Sequence, residues 1–349
     1  MRRTGYLGLT LMLILALGLP AFSQQPAPKT KAEYDAYMLL YNEKDAQKKA
    51  EFGEKFLAEN KDSEFVPQAY QMLIGAYARA QNWAKVTDAA DRAVALPKAD
   101  AKLKAFAFEN AMVASQQANN FDKIVEYGDK LLTLDPNNLN AMITLSSMLP
   151  ERLPADPAGK KAALDKAGAL ATKAMAGVQQ FFGQAKPANV TDAQWNQEKT
   201  NLEGQLHATF GLVALNNQDY TKATSEYETA LKSLPKDGLA HFRLGLAYQF
   251  LAADASKVLV EAIDAENKAK SERAEQSLLD ELVAKRQARE EDARGKRDKA
   301  IDELVTAVAI GGVAGQPARE QLEKLYKVKN NDSLEGLDQL IAQKKSQLG

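Results

Sequence analysis

Two stretches decide the reading: "HATFGLVAL" from His207 to Leu215 and "HFRLGLAYQ" from His241 to Gln249. They hold both histidines of the chain, 34 residues apart, with a large apolar residue and then glycine in matching places behind each. A fixed period of this length marks stacked helix pairs, so matched residues are first of all packing positions. A shared metal would need two ring nitrogens about 2.1 Å from one ion, whereas neighbouring helix axes lie about 8–10 Å apart. The histidines therefore read as one structural slot used twice.

The period extends outward. Behind His207 come Phe210, Gly211 and Ala214, then Tyr220, Ala223, Tyr227, Ala230 and Pro235 along "YTKATSEYETALKSLP"; behind His241 come Leu244, Gly245 and Tyr248. Upstream, Tyr70, Leu73, Tyr77, Trp83, Val86, Ala90 and Ala93 recur at the same offsets, followed by Phe108, Ala111, Phe121, Ile124, Leu131 and Pro136. This pattern resembles the tetratricopeptide repeat, whose first helix carries W-x2-L-G-x2-Y and whose second carries A-x3-F and a closing proline. His207 and Ala214 depart from its aromatic ideal. The resemblance implies an all-α fold, a tetratricopeptide-type alpha-alpha solenoid wound as a right-handed superhelix, in which small residues let helices approach and aromatics fill the gaps. Tyr70, Tyr77, Phe108, His207, Gly211, Ala223, Tyr227, Ala230, Pro235, His241, Gly245 and Tyr248 are its repeat-packing positions.

Residues 1–23 combine Arg2 and Arg3, an apolar run from Leu7 to Leu19, Pro20 and a small-x-small site, the pattern of a secretory signal cleaved after Ser23, with an uncleaved anchor as the alternative. A polar linker follows at 24–31. Residues 32–66 read as an N-terminal helical cap or degenerate repeat, 67–253 as repeats interrupted at 150–160 and 183–191, and 300–349 as a completing helix with a C-terminal cap. "TDAQ" from Thr191 to Gln194 has the capping-box form, which predicts a long helix beginning there and carrying His207.

Between these elements, residues 254–299 form an insertion. It has no glycine or proline from Ser256 to Arg294, and ten acids against ten bases from Asp264 to Lys299. One helix or a hairpin, projecting and solvated, fits this composition. Apolar heptads are not sustained beyond Leu278 and Leu282, which argues against a long coiled coil.

The chain contains no cysteine, so neither disulfides nor a lipidated cysteine can form. Loss of the leader leaves 43 basic against 46 acidic residues, a charge of −3 that offers nothing to a phosphate backbone. After the leader no stretch is apolar enough to span a membrane. There is no G-x-S-x-G elbow and no phosphate-binding loop, and "GGVAG" at Gly311–Gly315 reads as a helix stop. No metal, cofactor or catalytic residue is expected.

The resemblance implies that exposed first-helix residues line a partner groove: Gln71, Gly75, Glu109, Val113 and Gln116 in the earlier repeats, and Ala208, Leu212, Phe242, Leu246 and Gln249 in the later ones. The basic clamp with which some family members hold a C-terminal carboxylate is missing. The later groove is apolar, fitting either a hydrophobic partner or burial beneath a neighbouring element. The function this implies is a non-catalytic scaffold or adaptor for proteins or peptides in the cell envelope, exported to the periplasm, with secretion or anchoring by an uncleaved signal as the alternatives, and without nucleic acid, stable membrane insertion or cofactor. Two alternatives stay open: a spacer that self-associates through 254–299, and an enzyme whose site lies in the loop from Pro150 to Gly159 or in the insertion.

Overall fold

The computed structural model describes residues 28–348; the leader, its cleavage site and the first half of the linker lie outside the described residues. Among the described residues all regular structure is helical, in fourteen α-helices and two short 3-10 turns, as the all-α reading expects. These residues form two compact units. The first holds residues 28–152 and 172–177: α1 (Lys31–Asn42), α2 (Ala46–Glu59), α3 (Val66–Arg79), α4 (Trp83–Val94), α5 (Ala101–Gln117), α6 (Phe121–Leu134), α7 (Leu139–Met148) and the middle of α8 (Pro157–Phe182). The second holds residues 153–171 and 178–348: the remainder of α8, α9 (Asp192–Asn216), α10 (Tyr220–Ser233), α11 (Gly238–Ser271), α12 (Gln276–Ile310), α13 (Gly315–Lys329) and α14 (Leu337–Leu348).

Within each unit the helices pair by one recurring turn. Gln81, Asn119 and Gln218 adopt left-handed backbone angles (φ 55°, 53° and 62°) directly after α3, α5 and α9. The next amide then bonds back into the helix just ended, from Asn82 to Tyr77, Asn120 to Ser115 and Asp219 to Ala214, each at 2.9 Å. This satisfies carbonyls that a helix end would otherwise leave bare. The same Asn82, Asn120 and Asp219 cap α4, α6 and α10 by accepting from the amide three residues on. An aromatic residue, Trp83, Phe121 or Tyr220, opens each second helix. Thr191 and Gln194 form the expected capping box at the start of the 25-residue α9.

Packing inside each pair turns on two facing positions. A Cβ placed on Gly211 would lie 2.9 Å from the Tyr227 ring, and one on Gly245 would lie 2.8 Å from Leu304. Both pairs occupy the same repeat positions, the fourth residue after the histidine and the middle of the second helix. In the first unit these positions hold the opposite sizes, Ile74 with Ala90 and Met112 with Gly128, all buried. The large and small residues at these two positions are thus exchanged between the units by sequence. Leu145 of α7 fills the room above Gly128, 2.8 Å from where a Cβ would stand.

The insertion is a helical hairpin. α11 and α12 continue past the repeat and reverse over Glu272–Glu275, where Arg273 takes φ 54° and the Ala274 amide bonds to the Ala269 carbonyl at 3.0 Å. This is the repeat's own turn without its aromatic and Asn or Asp markers. The inward stripe of α11 is Ala252, Ala255, Leu259, Ala262, Glu266 and Ala269, at spacings of three and four. A heptad seam therefore exists, contrary to the reading of the insertion's apolar residues, because it is written in alanine. Glu266, the one buried carboxylate of the seam, is held by Lys270 and by Arg286 Nε at 2.7 Å, which fixes the register of the two strands. α12 ends at Gly311 (φ 80°), as the reading of "GGVAG" expects, and Leu322 and Leu337 close a final cluster with Ile301, Leu304 and Val305.

The exchange of sizes makes a quantitative prediction. Gly245→Ile overpacks Leu304 and costs about 1–3 kcal/mol; Leu304→Ala alone leaves a cavity and costs about 2–5 kcal/mol. The double variant exchanges the large and small side chains across the same contact, so its loss in urea unfolding is expected to fall well below the sum of the two single losses.

Candidate interaction surface

Both histidines are used in the same way. His207 Nδ1 lies 2.7 Å from Glu226 Oε2, joining α9 to α10, and His241 Nδ1 lies 2.6 Å from Glu303 Oε2, joining α11 to α12. Glu226 directly precedes Tyr227 and Glu303 directly precedes Leu304, so the acids also match by repeat position. His241 Nε2 meets the Pro235 carbonyl at 3.1 Å. Pro235 itself is exposed just beyond α10, so it ends the helix and offers a carbonyl without packing in the interior. Ala223, Tyr227 and Ala230 are fully buried, and Tyr70 and Phe108 fill in the first unit the slot that the histidines fill in the second.

A second contact joins consecutive pairs. The Tyr77 hydroxyl donates to Glu54 Oε1 on α2 at 2.9 Å, and the Tyr248 hydroxyl, at the same repeat position, donates to Glu228 on α10. A cation completes each: Arg92 bonds both Glu54 oxygens at 2.7 and 3.0 Å and lies over the Tyr70 ring, while Lys299 lies over Tyr248 and bonds its hydroxyl. Tyr127 makes a related bond to both oxygens of Asp91. The Arg92 bonds, assisted by Tyr77, hold the Glu54 carboxyl below its ordinary 4.5 against the opposing effect of burial. Burial and the Glu54 carboxylate push the Tyr77 phenol up to about 12. Burial first, then the neighbouring carboxylate, likewise raises Tyr127 and Tyr248.

These acids were not singled out from sequence, although the signal existed: Glu226 and Glu303 sit one residue before matched core positions. The groove residues divide. In the first unit Gln71 is buried, 8% exposed, because α1 and α5 both pack on α3. Gly75, Glu109, Val113 and Gln116 are partly exposed; Glu109 Oε1 accepts from Asn140 Nδ2 at 2.6 Å, linking the faces of α5 and α7. In the second unit Leu212 is buried at 7%, within the α9, α10 and α11 core. Phe242 packs against the cluster of Ile301, Leu304, Val305, Ala318, Leu322 and Leu337. Leu246 and Gln249 are partly exposed, and Gln249 turns a buried carbonyl oxygen that has no hydrogen-bond partner toward the packing. The structure thus removes Gln71 and Leu212 from the accessible surface and gives Phe242 an intramolecular neighbour. Among the described residues no three His, Asp or Glu side chains are grouped to hold a metal, and no helix is long and apolar enough to cross a membrane.

No family model and no curated protein matches this sequence. Among solved structures, a tetratricopeptide repeat protein from Parabacteroides merdae is similar over 85% of this chain and 99% of its own, at 11% identity and a TM-score of 0.44. The human IFIT1 dimer with m7Gppp-AAAA aligns over 92% of this chain and 69% of its own, at 12% identity and a TM-score of 0.36. A monomeric IFIT1 mutant with Gppp-AAAA gives 13% identity and the same score. Likeness at this level carries no inference about ligands. What places this chain among stacked helix pairs of tetratricopeptide type is its own repeat geometry.

Two measurements follow. Glu54 has a lower pKa folded than unfolded, so its contribution is present above the ordinary carboxylate value and is lost as pH falls through the depressed one. With both partners 36% exposed, the pair contributes about 1 kcal/mol after solvent screening. Glu54→Gln is expected to lower the melting temperature at pH 7 and to flatten its decline on acidification below about pH 4.5. For Phe242, replacement by Glu buries a charge against the α12 and α13 cluster, and thermal melting should drop by several degrees; an unchanged melting curve would return Phe242 to the free surface.

Proposed function

We propose that the protein is an exported, non-catalytic scaffold of the cell envelope that binds partner polypeptides across the first-helix faces of its repeats. The observation that carries this reading is how its reactive side chains are spent. His207, His241, Glu226, Glu303, Glu54, Tyr77, Glu228 and Tyr248 are each engaged pairwise between helices, holding the stack in shape. Acid-base or nucleophilic catalysis needs such groups to converge on one point that a substrate can reach. What the helices leave outward is shape: the α5 and α7 face around Glu109, Val113 and Asn140 in one unit, and the Leu246 and Gln249 face of α11 in the other.

The two faces suit different ligand segments. The first is neutral to weakly acidic and rich in carboxamides, matching the polar backbone of an extended segment; the second is more apolar, matching a helical or hydrophobic one. The leader at residues 1–23 supports export, and the cysteine-free composition tolerates an oxidising compartment.

The test uses a photo-crosslinking residue introduced at Gln116 and at Gln249, beside Val113 and Leu246, of the protein expressed with its leader, followed by identification of captured polypeptides in the envelope fraction. Val113→Glu and Leu246→Glu are each expected to abolish capture at their own face by at least tenfold, with melting temperature unchanged. Partners retained by both variants, or a protein that stays in the cytoplasm, would refute the reading.

A further inference from the structure

We infer that the α11–α12 hairpin is a self-association arm, and that two copies of this chain pair two-fold and antiparallel along the outward flank of α11. Beside its inward alanine seam, α11 carries a second stripe at alternating spacings of three and four: Ala253, Ser256, Val260, Ile263 and Asn267, all exposed. At its centre stand Val260, 55% exposed, and Ile263, 36% exposed, large apolar side chains that no helix among the described residues covers. An exposed valine–isoleucine pair on one stripe of a solvated helix costs solubility unless something covers it.

The charges at its edge select a second copy as the cover. Lys257 follows Ser256 and Asp264 follows Ile263, so both lie on the same border of the stripe, one heptad apart and of opposite sign. Laying a second α11 antiparallel across the stripe, with the two-fold axis beside Val260, brings Lys257 of each copy opposite Asp264 of the other. A parallel arrangement would instead set Lys257 and Asp264 across from the other border of the stripe, Ala252, Leu259 and Glu266, which faces α12, and would pair neither charge. Edge charges of this kind choose orientation and partner in helix pairs. Lys257 already bonds Asp254 Oδ1 at 2.9 Å within its own helix, which holds its stem at the border and leaves further donors on the ammonium for the second copy. Ala253 and Ser256 at one end of the stripe permit close approach of the helix backbones. The contact is isologous and therefore closes at two copies.

The stripe spans fifteen residues, about 22 Å of helix, so the dimer belongs to the weak class, with a dissociation constant on the order of micromolar. This inference does not depend on either groove face; an arm dimer without groove ligands, or the reverse, would separate the two proposals. Sedimentation velocity of the intact protein from about 1 μM to about 1 mM is expected to show a reversible monomer–dimer equilibrium. Val260→Glu should abolish it, with helicity and melting temperature unchanged because the side chain is exposed. Lys257→Asp and Asp264→Lys should each weaken it by about tenfold or more, and the two together should restore it. A monomer throughout the range, a dimer indifferent to Val260→Glu, or a double exchange that restores nothing overturns the inference. A dimer lost instead through Tyr41→Glu, on the exposed face of α1, would move the interface to that helix and overturn it equally.

Discussion

Two helices can lie close only where one of them yields volume to the other, and this protein depends on that trade at a single repeated pair of positions. Glycine faces tyrosine or leucine inside the pairs of the second unit, and in the first Gly128 receives Leu145 of the following helix. Because side chains in a dense interior transmit strain, the choice of which helix yields sets the spacing of the pair, and through it the angle presented to the next helix. The remaining core residues follow from that spacing: Ala223 and Ala230 are small enough to line the approach, and Tyr127 and Tyr227 are large enough to fill what it leaves.

Volume alone does not define rotation of one helix about its axis, and the polar clamps supply what it lacks. A short histidine–carboxylate contact ties the first and second helix of a pair, and a tyrosine–carboxylate contact ties one pair to the next. Hydrogen bonds that include a charged partner are directional and lose strength steeply when misaligned, so they select one registry among several that apolar packing would tolerate. The residues best suited to chemistry have become fasteners. The outward helix faces are relieved of that task.

Much of this was legible beforehand for a physical reason: a 34-residue period repeats identity as well as polarity, so the places of His207, Gly211, Tyr227, His241 and Gly245 announce the helix pairs without any alignment. The capping box at Thr191 and the stop at Gly311 were legible because caps are local chemistry. The seam of the insertion was not, since its contact residues are alanines, which apolar patterning weighs lightly, interrupted by Glu266, which it counts as surface. Its reversal was equally hidden, because Arg273 adopts without glycine the same left-handed turn that Gln81, Asn119 and Gln218 adopt. The site was legible only in outline. Period and phase place Gln71 and Leu212 on an outward face, but burial depends on what else packs there, and α1, α5 and the α9–α11 core take those surfaces. Phe242 shows the same limit, being covered by a cluster assembled from residues 59 and more positions later in the chain.

The hairpin is made by lengthening both helices of one repeat around an unchanged turn, and the inward contacts of α11 advance in steps of three and four. Seven residues removed from each strand, or seven added, would return every inward side chain to an inward place and leave the repeat at its base undisturbed. Its reach is therefore quantised: relatives of this chain can carry arms that differ by about 10 Å per paired step, and unequal steps on the two strands would be filtered out because they turn alanines to water and charges to the interior.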